Sequence, residues 1–300
     1  IEAFVWGYNG EDKLQGMSDM LQKMGITVNA YLPAADLQTI KKAPQAALNI
    51  VRRKKWALAM EQRFGTPFLH VADMQEWHGI EGISDLYRQI GKMLGCENAV
   101  ERVLQEEYER VADRYQELRA EFAKYKFCLI AHGIAYLPDA LRVYQQDYGL
   151  PITKICIIMN PSYQAETGLD DAMMQRFKDR IELAKAEYGC DAEILLEPSE
   201  EALREAAQSC DFVICNGHPR YAALNVPVLY NLFDRSVWSY QGFVDIMEEV
   251  WQMLQQPQRT GSSLLLSKLA YDPVFYPMRE SDKDSKASRE LYSRVWRQRK

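Results

Sequence analysis

Long apolar runs, surplus positive charge and paired cysteines are what this sequence has least of, and each shortage removes a class of function. The longest apolar stretches are FCLI at 127–130, ICIIM at 155–159 and SLLLSKL at 263–269. All fall far short of the roughly 20 residues that a bilayer-spanning helix needs, so no membrane span is expected. The formal net charge of −6 denies the chain the basic footprint that phosphate contacts require, and no nucleic-acid partner is expected. The six cysteines, Cys96, Cys128, Cys156, Cys190, Cys210 and Cys215, form no CxxC pair and keep no regular spacing. Three of them, Cys128, Cys156 and Cys215, lie in apolar runs, so they read as buried thiols of a cytoplasmic protein rather than a disulfide framework.

Several catalytic signatures are also missing. GxGxxG and GxxxxGK[ST] are absent, which leaves nucleotide binding by either consensus unsupported, and so is GxSxG. The four histidines bring no HxxxH and no Cys/His cluster, so no metal-ligand set is expected. The opening IEAFVWGYNG has neither an initiator Met nor a cationic lead into an apolar core. It is expected to be a strand begun within a longer protein rather than a signal peptide.

What is present is enough material for two cores: 300 residues at 47% hydrophobic composition, where a single core stops growing near roughly 250 residues. From the start the pattern runs strand EAFVWGY, helix Lys13 to Met24, Gly25, strand ITVNAYL, and a helix from about Asp36. Strand AALNIV, helix Lys54 to Phe64, strand PFLHV and a helix near Gly82 to Leu94 complete a first lobe over 1–96. Strands alternating with amphipathic helices indicate βαβ units and a parallel sheet.

The segment 97–125 differs, because Val100, Leu104, Tyr108, Val111, Tyr115, Leu118 and Phe122 recur at intervals of three and four on a charged background. That spacing predicts one long amphipathic helix connecting two lobes. A second βα series fills 126–255: strand KFCLIA, helix Pro138 to Asp147, strand TKICIIM, and helix Asp170 to Tyr188 with Met173, Phe177 and Ile181 inward. Strand AEILLE, helix Ser199 to Gln208, strand DFVICN, the run VPVLY and helix Gly242 to Leu254 follow. The stretch 256–300 is a polar tail. The fold class is therefore α/β, two Rossmann-like lobes with parallel sheets joined by a long helix.

In open parallel sheets, ligands collect beyond the carboxyl ends of the strands. Here RRKK follows AALNIV, ADMQEWHGIEG follows PFLHV, HGIAY follows FCLIA, and GHPRY follows DFVICN. If both rims face a shared cleft, Arg52, Arg53, Lys54, His78, His132, His218 and Arg220 line it and select an anion. The plainer reading is that charge runs at helix starts are solvated, and that one or two of Arg52, Arg53, Lys54 and Lys55 only face water. Glu76 and Glu81 flank His78 and have the chemistry for acid–base work, although loop carboxylates more often cap or solvate. His70, inside a strand, reads as structural.

The series GYNGEDKLQGMSDMLQKMGITVNAYLPAADLQTIKKAPQAALNIV, then RFGTPFLH, then WHGIEGISDLYRQIGKMLG, resembles the nitrogenase component 1 family. DFVICNGHPRYAALNVPVLYNLFDRSVWSYQGFVDIMEEVW resembles that family's closing strand, glycine turn, apolar-Pro strand and final helix. The resemblance covers about residues 1–255 and implies the family's second and third lobes. Its first lobe, with the cysteines that hold an iron–sulfur cluster, has no counterpart here.

By the same resemblance, the position of the cysteine that ligates the iron–molybdenum cofactor falls at about Arg53, and that of its histidine near Asn231 or Leu232. None of these can replace a thiolate or imidazole, so that cofactor is not expected. A guanidinium there implies an anionic partner, such as a metallocluster or a carboxylate-bearing tetrapyrrole. The cofactor of this chain is unknown, and an iron–sulfur cluster belongs, if anywhere, to the full-length protein or its complex. The implied role is a subunit or fragment of a nitrogenase-like oxidoreductase, working with a paired homologous subunit and an ATP-dependent iron–sulfur reductase. Two Rossmann-like lobes joined by a long helix also suit a non-catalytic cofactor-assembly scaffold or a metal-chelate binding protein.

Overall fold

The computed structural model describes residues 10–32, 35–52, 54–71, 76–132, 137–159, 170–215, 221, 224, 226–230 and 238–255. The chain divides into two units, one of residues 1–121 and 233–251, the other of 122–232 and 252–300. The expected strand EAFVWGY and the tail beyond 255 lie outside the described residues.

The first unit opens with α1 (Gly10–Lys23), which buries Met17, Met20 and Leu21 and stops at Gly25, where φ of +79° needs a residue without a Cβ. The alternation in ITVNAYL predicts a strand, yet 26–31 has no ladder among the described residues and Leu32 makes a single bridge. Asp36 caps α2 (Leu37–Lys42), its carboxylate accepting from the Thr39 amide at 2.7 Å. After a 3-10 turn at Ala43–Gln45 come β1 (Asn49–Val51), α3 (Lys54–Phe64) and β2 (Phe68–His70). The two strands pair in parallel with Asn49 opposite Phe68 and Val51 opposite His70, as a helix crossover between them requires.

The core of this unit is helical. In α4 (Gly79–Leu94) Ile83, Leu86, Tyr87 and Ile90 are buried at helical spacing, and Gly95 ends it in the left-handed region. In α5 (Glu97–Phe122) the apolar stripe goes inward: Val100, Leu104, Val111, Tyr115, Leu118 and Phe122 are all buried. Its 26 residues run roughly 40 Å at a rise of about 1.5 Å per residue. Lys23 of α1 reaches Glu107 of α5 at 2.8 Å.

The second unit is a doubly wound sheet. Its strands are β3 (Phe127–His132), β4 (Ile152–Ile158), β5 (Glu193–Leu196), β6 (Phe212–Cys215) and β7 (Val228–Tyr230). They lie in the order β5-β4-β3-β6-β7, every neighbouring pair parallel. The crossovers carry α6 (Leu137–Leu141), α7 (Asp171–Glu187, capped by Asp170) and α8 (Glu200–Gln208, capped by Ser199).

Leu203, Ala206 and Ala207 of α8 pack with Cys128, Ile130, Cys156, Val213 and Cys215 of the sheet into one apolar cluster. The expected helix Pro138 to Asp147 is regular only to Leu141, and Arg142–Asp147 is a π-helical turn. A π turn puts residues five apart side by side, and the buried Arg142 and Asp147 meet there at 3.1 Å.

The last described helix, α9 (Tyr240–Gln255), follows the second series in sequence, yet 240–251 belongs to the first unit. Arg114 of α5 forks the Glu248 carboxylate of α9 at 2.5 and 2.8 Å and stands 5.7 Å over the Trp251 ring. No described helix is long and apolar enough to cross a membrane.

Candidate functional site

In the second unit the strand order reverses between β3 and β6, which makes the carboxyl ends of these two strands its topological switch point. His132 is the last residue of β3, in register with Ile158, so its backbone is at that point. His218 and Arg220 follow the end of β6 in sequence but lie outside the described residues, as does the His132 side chain. A residue the sequence did not flag stands on the same rim. Glu197 at the end of β5 has φ of +50°, a region that non-glycine residues rarely occupy. Its amide donates to the Ile157 carbonyl at 2.9 Å and its carboxylate accepts from the Met159 amide, tying the carboxyl ends of β4 and β5 together.

In the first unit β1 delivers the chain directly into the cationic run. Arg52 is half-buried, Lys54 and Lys55 are exposed in the first turn of α3, and Arg53 lies outside the described residues. His70 closes β2, and its Nε2 lies 2.9 Å from the Arg52 carbonyl, so in this contact that nitrogen carries the proton and donates. The histidine read as structural thereby fixes the turn on which the arginines stand. Cations at a helix start oppose the helix dipole, so this placement is not one that helix stability favours.

His78 is set apart from these groups. It is the N-cap of α4 without a side-chain cap bond, only 1% exposed, and its ring meets Phe243 edge-on at 5.7 Å. Phe243 in turn packs on Tyr115, Tyr115 on Tyr108, and Tyr108 on Tyr240. The Tyr240 hydroxyl shares a 2.6 Å hydrogen bond with Ser84, and Tyr87 donates to the Trp238 carbonyl at 2.5 Å. Burial pushes both phenol pKa values up, Tyr87 most. His78 is thus held inside the packing of α4, α5 and α9, with Glu76 and Glu81 exposed on either side of it.

No group of three or more His, Cys, Asp or Glu side chains suited to a metal stands together among the described residues. All six cysteines are free; only Cys96 is partly exposed. Cys128 and Cys156 approach at 3.9 Å, and the hydrogen bond to Cys156 together with burial holds the Cys128 thiol far above its usual range. Burial alone pushes Cys215 up to about 12. The Cys128 and Cys215 thiols therefore stay protonated and are poor ligands and poor nucleophiles, whereas the hydrogen bond between Cys128 and Cys156 moves Cys156 the other way, below its usual range.

The sequence profile of the nitrogenase component 1 type oxidoreductases matches residues 3–255. The chain belongs to that family. Among solved structures it is similar to nitrogenase Cp1 at pH 6.5, with 16% identity and a TM-score of 0.55 over 84% of this chain and 57% of that one. It is also similar to nitrogenase Cp1 at pH 5, with 16% identity and a TM-score of 0.54 over 82% of this chain and 54% of that one. At this identity the likeness shows the fold, and the chain spans little more than half the length of these neighbours. No curated protein matches it.

In this member of the nitrogenase component 1 family the turn after β1 is cationic. The side chains there are Arg52, Arg53, Lys54 and Lys55, which carry protons on every polar atom and have no lone pair to give a metal. They do not fit a cofactor held by thiolate and imidazole. They do suit the carboxylates or sulfides on the outside of an anionic group.

Proposed function

We propose that this chain is part of a nitrogenase-like component 1 oxidoreductase that binds an anionic metallocluster or tetrapyrrole-type ligand and passes electrons to it. Arg52, Arg53 and Lys54 of the first unit are the groups that meet the ligand. They hold it by charge and hydrogen bonds and do no covalent chemistry. The observation that carries the reading is the cationic turn at the carboxyl end of β1, where His70 bonds the Arg52 carbonyl, in a chain of an oxidoreductase family. Electrons come from an ATP-dependent iron–sulfur reductase and the site is completed with a paired homologous subunit, so the isolated chain binds without turnover. The role is exercised in the cytoplasm.

The test is titration of the chain with uroporphyrin, a tetrapyrrole carrying several carboxylates, followed by fluorescence quenching. Arg53→Glu, and separately Arg52→Glu, should weaken binding by tenfold or more, about 1.4 kcal/mol. Unchanged affinity in both variants sinks the ligand reading. Tight binding that depends on Arg53, with no reduction of the bound ligand when reductase, ATP and the paired subunit are supplied, favours a cofactor-assembly scaffold or chelate-binding protein instead.

A further inference from the structure

One ring nitrogen of His70 is committed to the fold, and the other is open to chemistry. His70 is the last residue of β2, in parallel register with Val51, so it ends at the same carboxyl rim from which Arg52, Lys54 and Lys55 depart. Its Nε2 lies 2.9 Å from the Arg52 carbonyl oxygen. A carbonyl oxygen has lone pairs and no proton, so Nε2 carries the hydrogen and the neutral ring keeps its own lone pair on Nδ1. The ring makes no second hydrogen bond among the described residues. It is half-buried, unlike the His78 ring, which is 1% exposed and packed on Phe243. A backbone carbonyl that holds one imidazole nitrogen is also how proteins orient a histidine whose other nitrogen works.

The charges around the ring decide what that nitrogen can do. The elements packed against β2 are β1 and α3. β1 has no charged residue, the turn after it has Arg52, and α3 has Lys54, Lys55, Glu61 and Arg63. With one carboxylate among these groups, the described protein offers an imidazolium little counter-charge. A bound polyanion offers a great deal.

We propose that His70 is a further ligand-binding residue of the cationic turn, one that takes up a proton on Nδ1 when the anion binds. The proton comes from solvent, one N–H bond forms at Nδ1, and the Nε2 hydrogen stays on the Arg52 carbonyl. The ring then adds a positive charge and a donor beside Arg52 and Lys54 without loosening the turn. This rests on the anionic-ligand reading and gives it a direction, because proton and ligand then favour each other's binding. The ligand class it selects is one whose charge persists where imidazole titrates, as carboxylates do.

Uroporphyrin titration of the full chain at pH 6, 7 and 8 tests it, since carboxylates ionise near pH 4 and stay charged throughout. Coupled uptake of one proton weakens binding by at most about tenfold per pH unit, and the wild-type chain should lose roughly tenfold between pH 6 and pH 8. His70→Gln places an amide N–H where Nε2 was and has no nitrogen to protonate. It should match the wild type at pH 8 and show a flat profile down to pH 6. His70→Ala, which also unties the turn, should bind more weakly at every pH. Imidazole nitrogen NMR of the ligand-free chain at pH 8 should show the Nε2–H tautomer for His70. A pH slope that survives His70→Gln, with binding still dependent on Arg52 and Arg53, overturns this proposal and leaves the ligand reading standing. So does an Nδ1–H tautomer. Absence of binding, or binding indifferent to Arg52→Glu and Arg53→Glu, sinks the ligand reading and this proposal with it.

Discussion

Gly82→Ala is the substitution for which the structure makes the sharpest demand. In an ordinary helix Ala is preferred to Gly by up to about 1 kcal/mol, so propensity alone predicts a gain. At this position, however, a Cβ would stand 2.5 Å from the Glu76 carbonyl oxygen, 2.7 Å from the Trp77 carbonyl carbon and 3.0 Å from the Trp77 Cα. All three are backbone atoms of the turn that leads into His78, so no side chain can rotate away. Either α4 or the 76–78 turn must move, and overpacking of this kind typically costs about 1–3 kcal/mol. The steric term therefore wins, with a net loss on the order of 1–2 kcal/mol and a fall in melting temperature of roughly 5 °C. Tryptophan fluorescence during urea unfolding is the assay, because Trp56, Trp77, Trp238 and Trp251 all belong to the first unit. An unchanged or higher midpoint for Gly82→Ala would refute the packing of α4 against that turn.

Gly91→Ala brings its Cβ to 2.7 Å from Val100 Cγ2, a side-chain atom, so Val100→Ala should rescue it, with a coupling of about 0.5–3 kcal/mol in a double-mutant cycle by urea unfolding. Glu248→Gln should lower stability at neutral pH by about 0.5–1 kcal/mol, the usual worth of a partly exposed pair. The Arg114 hydrogen bond holds the Glu248 carboxyl below its ordinary 4.5, so this stability is present above pH 4.5 and is lost as pH falls through the folded value. Denaturation of both proteins across pH 3–7 should therefore show the gap closing toward acid, and a gap that widens there contradicts the pairing. Under native conditions at pH 8 iodoacetamide should modify Cys96 first, since the other five thiols are buried; early labelling of Cys128 or Cys156 counted by mass spectrometry contradicts the sheet packing.

Much of the architecture was legible because local signals agreed. Lys54–Phe64 is both the expected and the observed helix, and Glu97 opens α5 where the charged heptad-like pattern begins. Asp36, Asp170 and Ser199 each announced a helix start with a side chain that accepts from the third residue on. Where no such signal exists the boundary slipped. The helix expected from Gly82 begins at Gly79, because its N-cap His78 offers no side-chain bond for a reader to find.

The π turn at Arg142–Asp147 is invisible to periodicity and emerges from a buried ion pair between residues five apart. Which unit claims α9 is likewise not written in α9. Its apolar face is equally suited to any core, and Phe243, Met247 and the Arg114 fork from α5 decide the matter.

The placement of the candidate residues was legible in a similar, partial way. The rule that ligands gather at strand ends located Arg52 and His132 at the ends of β1 and β3, since it needs only strand order and direction. It also pointed to His78, whose surroundings are set by Phe243, far along the chain, and which the structure holds 1% exposed. Glu197 escaped notice because its role comes from a φ of +50° and a bond to Met159, neither of which has a sequence pattern.

Iron and acid-labile sulfide, measured with a visible spectrum on the protein carrying this chain after anaerobic purification, test the electron-transfer role most directly. The account predicts stoichiometric iron and a charge-transfer band that bleaches when the ATP-dependent reductase is added. A colourless, iron-free protein that binds uroporphyrin through Arg53 yet accepts no electrons would contradict it.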